Sequence, residues 1–358
     1  MKSKLAKVFT YFFLSQILAN VVYGYTFVQN IVLKHNVINN IINEGKVNSR
    51  DFSIDSPLNY LIPAYLGIKN TEIFLLFLFF ITNIFLFLIC YKIADLGKHS
   101  YLFLFGGWLV PSVWFIGYGD MLTVALTLFL IHEIIKNDQK NKLKIFTFSL
   151  LLVINHSALA LGLLLSIFFL TKNEKKIQFI KIVLPTFFIG YFVNQQLKSN
   201  VGFDGRGRFR FLLNDGIVSN SLEIINKDFI NIIYSGFLGI IILFIVTAIL
   251  SDSPMMKKAY IPILISIVFT SISLDTSRIF SLLLVPVIYV SMIEYDKLNF
   301  KKYWTQNVIA FGVIATNLII GTQHVYGYVR EKSPFTEEPN IYDLIIKYID
   351  SLLSGVLS

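Results

Sequence analysis

The sequence is poor in the residues on which soluble enzymes and metal sites depend. Only 15% of its 358 residues are charged and 55% are hydrophobic, whereas about a quarter of a soluble domain is charged. The single cysteine, Cys90, excludes a disulfide framework and a cluster of thiolate ligands. The five histidines are scattered along the chain, so a histidine metal site is not expected.

Several familiar catalytic motifs are also missing. The chain has no glycine-rich phosphate-binding loop, no His-Glu metalloprotease motif and no paired-cysteine metal spacing. The net charge of +9 does not indicate nucleic acid, because lysines in short cytoplasmic loops of a membrane protein account for it. No cofactor, no metal and no nucleic-acid partner are therefore predicted.

Arginine is scarce, with six residues against 25 lysines. Three of the six stand at alternate positions in the stretch 202–211, namely Arg206, Arg208 and Arg210. In an extended segment this spacing directs all three side chains to one side. Three aligned guanidinium groups suit a phosphate or pyrophosphate. The alternative is a hairpin whose arginines touch lipid headgroups or nearby carboxylates.

Apolar runs of membrane-spanning length recur from end to end, which predicts an all-α, polytopic transmembrane helical bundle of about 11 segments. Single spans are predicted at 8–28, 72–93, 101–117, 119–135, 178–197, 229–250 and 305–321. Two further runs, 145–170 and 259–295, are interrupted by polar residues at 155–157 and 274–278. Lysines flank both ends of each run, so each is predicted to be a pair of short helices that keeps both lysine clusters on one side.

The lysines also predict the topology. The basic segment 1–7 places the N-terminus in the cytoplasm, and the chain's rich content of Asn, Ile, Lys and Phe is typical of an AT-rich bacterial gene, which predicts the bacterial inner membrane. Residues 1–321 form the predicted catalytic domain. It includes a long external first loop with interfacial helices (29–71) and an external arginine loop (198–228). The tail 322–358 is predicted to be external and amphipathic.

Ionisable groups near membrane depth usually face a cavity or a partner. Four sets of such groups fall on the predicted external side, together with the three arginines of the loop. The first set is Asp51 and Asp55, the second is Asp120, the third is His156, and the fourth is Asp275 and Arg278. One shared cleft is the simplest explanation. Each set also has a purely structural alternative. Asp51 or Asp55 could be a carboxylate on the loop surface, and Asp120 could cap the helix that follows it. His156 could pair with free backbone groups at the helix break, and Asp275 could form a local ion pair with Arg278.

At these residues the chain resembles the GT-C superfamily of polytopic glycosyltransferases, which use lipid-phosphate-linked sugars. The long loop 29–71 matches the family's first external loop, and the resemblance implies that Asp51 or Asp55 is its catalytic carboxylate. The stretch 116–126 is similar to the family's small residue and Asp that open a span. The stretch 275–286 resembles its later Arg-bearing pair of short helices.

A second resemblance is carried by Asn155-His-Ser-Ala-Leu159, which is similar to an element of exopolysaccharide and O-antigen polymerases. Those proteins use external arginines to hold undecaprenyl-pyrophosphate glycans. Both resemblances imply sugar transfer from a polyprenyl carrier at an external site.

The favoured expectation is a glycosyltransferase that moves a sugar from a polyprenyl-phosphate-linked donor to a glycan or lipid acceptor. Asp51, Asp55 and Asp120 are its candidate catalytic residues, and Arg206, Arg208, Arg210, Arg278, His156 and Asp275 its candidate binding residues. The alternatives are a polymerase of pyrophosphate-linked glycans and a lipid-linked glycan transporter without chemistry.

Overall fold

In a computed structural model, the described residues are helical almost throughout. The structure describes residues 2–23, 31–47, 56–203, 217–273, 275–298 and 303–321, the short segments 324–326 and 329–331, and the single positions Ile346 and Asp350. Within these residues the only strands are β1 (His324–Tyr326) and β2 (Val329–Glu331), which pair antiparallel.

The described part of the first half forms nine α-helices. They are α1 (Lys2–Ile17), which continues as a π-helical turn over Leu18–Tyr23, α2 (Ile31–Glu44), α3 (Leu58–Tyr65), α4 (Thr71–Ile93), α5 (Leu109–Trp114), α6 (Asp120–Ile131), which continues as a π-helical turn over His132–Lys136, α7 (Lys142–Asn155), α8 (Ser157–Leu170) and α9 (Lys176–Asn200). Short 3-10 turns cover Ser100–Phe105, Ile116–Tyr118 and Asn173–Lys175. Two of these helices, α2 and α3, lie in the predicted first loop.

The described part of the second half adds seven α-helices. They are α10 (Ile217–Phe237), α11 (Ile240–Leu250), α12 (Pro254–Lys257), α13 (Tyr260–Thr270), α14 (Thr276–Leu283), α15 (Val285–Lys297) and α16 (Tyr303–Ile320).

Three of the described helices are long and apolar enough to cross a membrane: Lys4–Tyr23, Thr71–Ile93 and Asn173–Asn200. Two bent pairs, α10 with α11 and α14 with α15, raise the number to five when each pair counts as one span. Large apolar side chains such as Phe13 and Phe192 lie exposed on these helices. Such surfaces are unfavourable in water and suit contact with lipid. The count of about 11 segments stays a prediction.

The two interrupted runs break where the sequence predicts. Helix α7 ends at Asn155 and α8 begins at Ser157. In the second run α13 ends at Thr270 and α14 begins at Thr276. A further bend of 42° separates α14 from α15.

The predicted continuous span 101–117 is wrong. It is divided into a 3-10 turn, the short α5 and a second 3-10 turn. The division falls at Gly106 and Gly107, where a Cβ on Gly107 would lie only 1.8 Å from the carbonyl oxygen of Ser235 in α10. The chain is therefore broken at the place where the backbone of α10 packs against it.

The predicted span 229–250 is not straight. Helices α10 and α11 meet at 86°, and Leu238 between them has a positive φ of 48°. A Cβ on the next residue, Gly239, would lie 2.1 Å from the carbonyl oxygen of Val313 in α16. The close approach of α16 therefore requires glycine at this bend.

Six lysine-bearing or acidic segments meet at one end of the bundle, which we name the lysine-rich end. Its linking contacts are Lys4–Asp95 at 2.8 Å, Lys136 to the Asp95 carbonyl, Lys175–Asp138 at 3.3 Å, Lys258–Asn173 at 3.0 Å, Ser251–Glu294 at 3.4 Å and His99–Asp296 at 2.9 Å. The lysine segments on either side of the α7–α8 pair thus lie at the same end, as two short antiparallel helices require.

Candidate functional site

A buried arginine joins the starts of two helices that are far apart in the sequence. Arg278 Nε and Nη2 donate to the two carboxylate oxygens of Asp120 at 2.6 and 2.8 Å, and Nη1 donates to Asp275 Oδ2 at 2.6 Å. Arg278 is 5% exposed and Asp120 is 2% exposed. The forked contact with Asp120 is the geometry in which arginine binds a carboxylate most strongly. We name these three residues the Arg278 cluster.

Local sequence places the members of the cluster at helix starts. Asp120 is the first residue of α6, and Gly119 before it has a φ of +73°, which glycine adopts without strain. A Cβ on Gly119 would lie 2.2 Å from Asn59 Nδ2, so α3 packs directly against the start of α6. Asp275 precedes α14 and Arg278 lies one turn further along, at the spacing at which helical side chains meet.

Two aromatic rings lie against the guanidinium group. Arg278 Cζ is 4.2 Å from the ring centroid of Tyr118 and 5.6 Å from that of Phe115. Cation–π contacts are strongest where water is excluded, as it is around a buried arginine. Because both aromatic residues lie within four positions before Gly119, the single stretch 115–120 supplies the aromatic contacts and one of the carboxylates.

The break between α7 and α8 is tied to the start of α6 by an amide. Asn155 Nδ2 donates to the Gly119 carbonyl oxygen at 3.3 Å and to Thr123 Oγ1 at 2.9 Å. From the other side, Asn194 Nδ2 donates to the carbonyl oxygen of Ile154 at 2.7 Å. The break is therefore held in a fixed position beside Gly119 and Asp120.

His156 lies at this break and caps α8. Its Nδ1 accepts a hydrogen bond from the backbone N–H of Leu159 at 3.3 Å, which satisfies one of the free donors at the helix start. The charges of Arg278, Asp120 and Lys198 all act on its ring. The histidine thus lies next to the Arg278 cluster.

The structure brings together part of the predicted site. Asp120, Asp275 and Arg278 are in contact, and His156 is adjacent to them. The remaining candidates lie outside the described residues, and they are Asp51, Asp55, Arg206, Arg208 and Arg210. The local ion pair of Asp275 with Arg278 and the capping role of His156, both weighed from the sequence, are present. The predicted capping role of Asp120 is wrong, because the N-cap of α6 is Gly119 and both oxygens of Asp120 accept from Arg278.

Sequence reasoning missed three neighbours of the site: Asn59, Tyr118 and Lys198. Lys198 is a buried lysine in the last turn of α9, at the other end of that helix from the lysine-rich end. Its departure from the lysine pattern was the available signal. Tyr118 and Asn59 gave no signal, because single aromatic and amide residues are common in such helices.

In the cluster, the two carboxylates hold the Arg278 guanidinium group in one orientation. Both carboxylate oxygens of Asp120 already accept a charge-assisted bond from Arg278. The cluster contains two carboxylates and one arginine, and Lys198 supplies a further positive charge nearby. Within the described ranges no group of three or more His, Cys, Asp or Glu residues could hold a metal ion.

Comparisons with known proteins do not assign the chain to a family. No protein-family model matches it, and neither the curated proteins nor the solved structures give a match. Its function is therefore inferred from its own residues.

Proposed function

We propose that the chain is a membrane glycosyltransferase of the GT-C type. It moves a sugar from a polyprenyl-phosphate-linked donor to a glycan or lipid acceptor. The lysine-rich end is cytoplasmic, the Arg278 cluster faces the external side, and the membrane is the bacterial inner membrane. The observation that carries the proposal is a buried Arg278 paired with two carboxylates at the end of the bundle opposite the lysines.

The depth of the cluster supports a functional role. Helix α7 runs from the lysine-rich end to the cluster over 14 residues, a length of about 21 Å, whereas the hydrocarbon core is about 30 Å thick. With the lysines at one membrane boundary, the cluster lies inside the hydrocarbon region near the other. Ionised groups at that depth are costly and are retained mainly where they bind or transfer something.

The proposed roles follow from which groups are already engaged. Because Asp120 is occupied by Arg278, we assign the general base to Asp51 or Asp55 in the first loop and a positioning role to Asp120. The base takes the proton of the acceptor hydroxyl, whose oxygen attacks the anomeric carbon. The bond from that carbon to the phosphate oxygen breaks, and its electron pair leaves with the phosphate. Arg206, Arg208 and Arg210 stabilise the charge that develops there.

A second candidate is a polymerase that joins pyrophosphate-linked glycans. The observation that favours it is the position of the 155–159 element, which lies at the helix break beside Asp120. In this alternative the arginines carry the reaction and the first-loop carboxylates are dispensable.

Transfer of labelled sugar from a polyprenyl-phosphate donor, measured in membranes that contain the protein, tests the proposal. Asp51→Asn or Asp55→Asn should lower the rate by ~10²–10⁴ while binding of the lipid phosphate is retained. Full activity in both variants, with loss in Arg208→Ala, would favour the polymerase. A protein that moves lipid but never transfers sugar would be a transporter.

A further inference from the structure

Beside the Arg278 cluster, two polar side-chain atoms have no partner among the residues that the structure describes. Asn155 is 0% exposed and its Oδ1 accepts no hydrogen bond. His156 is 9% exposed; its Nδ1 accepts from Leu159, and no described residue bonds to its Nε2, which is not fully buried. A buried acceptor left unpaired is costly, so a protein that keeps one in place usually pairs it with water or a ligand.

The orientation of the Asn155 amide is fixed by its neighbours. The Gly119 carbonyl oxygen can only accept, so the atom that faces it must be Nδ2. Thr123 Oγ1 donates its own hydrogen to the same carbonyl at 3.2 Å, and it must therefore accept from Asn155. A flipped amide would lose the bond to the Gly119 carbonyl oxygen and place two acceptors face to face. The unpaired atom is thus an acceptor.

The tautomer of His156 is fixed in the same way. Its Nδ1 accepts from the Leu159 N–H and so carries no hydrogen. The proton of the neutral ring must then lie on Nε2, which makes Nε2 a donor. Consecutive residues at the helix break thus present one unpaired acceptor and one unpaired donor. A further unpaired buried donor, Asn59 Nδ2, lies against Gly119 on the other side.

We propose that Asn155 and His156 form a subsite for the hydroxyl groups of the transferred sugar. This inference rests on the proposed glycosyltransferase function. A hydroxyl both donates and accepts, so sugar hydroxyls satisfy Asn155 Oδ1 and His156 Nε2 together. A phosphate at neutral pH mainly accepts and would leave Asn155 Oδ1 unpaired. Asn155 and His156 therefore recognise the sugar at the helix break, and the arginines bind the phosphate elsewhere.

A pair of substitutions at one position separates this role from helix capping. His156→Asn keeps a favourable cap, because an Asn oxygen can accept from the Leu159 N–H, but it removes the imidazole Nε2–H. His156→Ala removes both the cap and the donor. If His156 only caps α8, the Asn variant should behave as the wild type and the Ala variant should not. If it binds sugar, both variants should lose the same recognition.

The measurement is binding by the purified full-length protein of two probes, undecaprenyl phosphate and the same lipid bearing one glucose. We expect the wild type to prefer the glucose-bearing lipid, and both His156 variants to lower that preference about tenfold, the effect of one buried hydrogen bond. Their affinity for the bare lipid should not change. Lys257→Gln at the lysine-rich end is the matched control and should leave the preference intact.

Three other outcomes would overturn the subsite, and one of them would also refute the proposed function. A preference that survives in His156→Asn would overturn the subsite and leave His156 as a cap. Equal binding of both lipids by the wild type would overturn it as well, while the proposed function would remain. Failure of the wild type to bind either lipid would refute the proposed function, and the subsite with it.

Discussion

The two ends of the bundle hold their charges in different ways. At the lysine-rich end, Lys257 and Asp252 have side chains that are 63% and 103% exposed, and they meet at 3.2 Å. The buried Glu133 lies 3.8 and 3.9 Å from its two lysines there, and the buried Glu294 meets the exposed Lys297 at 2.8 Å. In the Arg278 cluster the Arg278 and Asp120 side chains are 7% and 1% exposed and meet at 2.6 Å.

The contrast indicates which charged residues can be substituted without a large loss of stability. Exposed pairs contribute little to stability, because water and salt screen them and long side chains lose freedom when they pair. A buried pair is costly to assemble, and removing one partner leaves an uncompensated charge. The exposed lysine pairs can therefore be exchanged for other residues at little cost in stability. The Arg278 cluster depends on particular residues in one geometry.

The largest expected contrast between the ends is in accessibility. With Cys90 replaced by serine, Ser199→Cys and Ser219→Cys should react with a membrane-impermeant thiol reagent added from outside, and Asn173→Cys should not. All three positions are exposed, so a failure to react reports the side of the membrane rather than burial. Labelling of position 173 from outside would reverse the placement of every later segment.

The next largest effect is expected at the cluster itself. Arg278→Leu should lower the free energy of unfolding by about 3–5 kcal/mol, because Asp120 is left buried without its partner. Denaturant unfolding of the purified protein measures this loss. Adding Asp120→Leu should restore part of the stability, since it removes the uncompensated charge. Losses that simply add in the double variant would show that the two side chains are not coupled.

A smaller effect is expected at the turn before Asp120. Gly119→Ala should cost about 1–2 kcal/mol for its left-handed backbone, with a further loss from the contact of its Cβ with Asn59. Gly45 is the matched control, because it has a similar φ of +68° and nothing within 4 Å of an added Cβ. The excess loss of Gly119→Ala over Gly45→Ala, measured by the same unfolding assay, reports the packing of α3. Equal losses would contradict that packing.

The sequence predicts the helical, apolar character and the two broken runs well, because these follow from local pattern. Polar residues that interrupt an apolar run, with lysines at both ends, leave few other arrangements. The division of the span 101–117 and the bend within 229–250 were missed for the opposite reason. Their breaks at Gly107 and Gly239 exist because other backbone segments pack there, and hydropathy contains no information about that contact.

The site was predictable only in part for the same reason. Asp120 and Arg278 stand out as ionised groups in apolar surroundings, which a sequence reveals. Their contact joins residues 158 positions apart, and no local pattern encodes it. The unpaired atoms of Asn155 and His156 were equally hidden, since they depend on which neighbours Gly119 and Thr123 provide.

The smallest effect on stability is expected at the lysine-rich end. Lys257→Gln should give no resolvable change in the unfolding midpoint, because its partner Asp252 is fully exposed and water already solvates both charges. At about 0.1 M salt, charges separated by more than ~10 Å are also screened from each other. The midpoint should therefore be measured at low and high salt for the variant and the wild type. A loss as large as that of Gly119→Ala, persisting at high salt, would mean that the lysine-rich end is held by specific contacts, as the Arg278 cluster is.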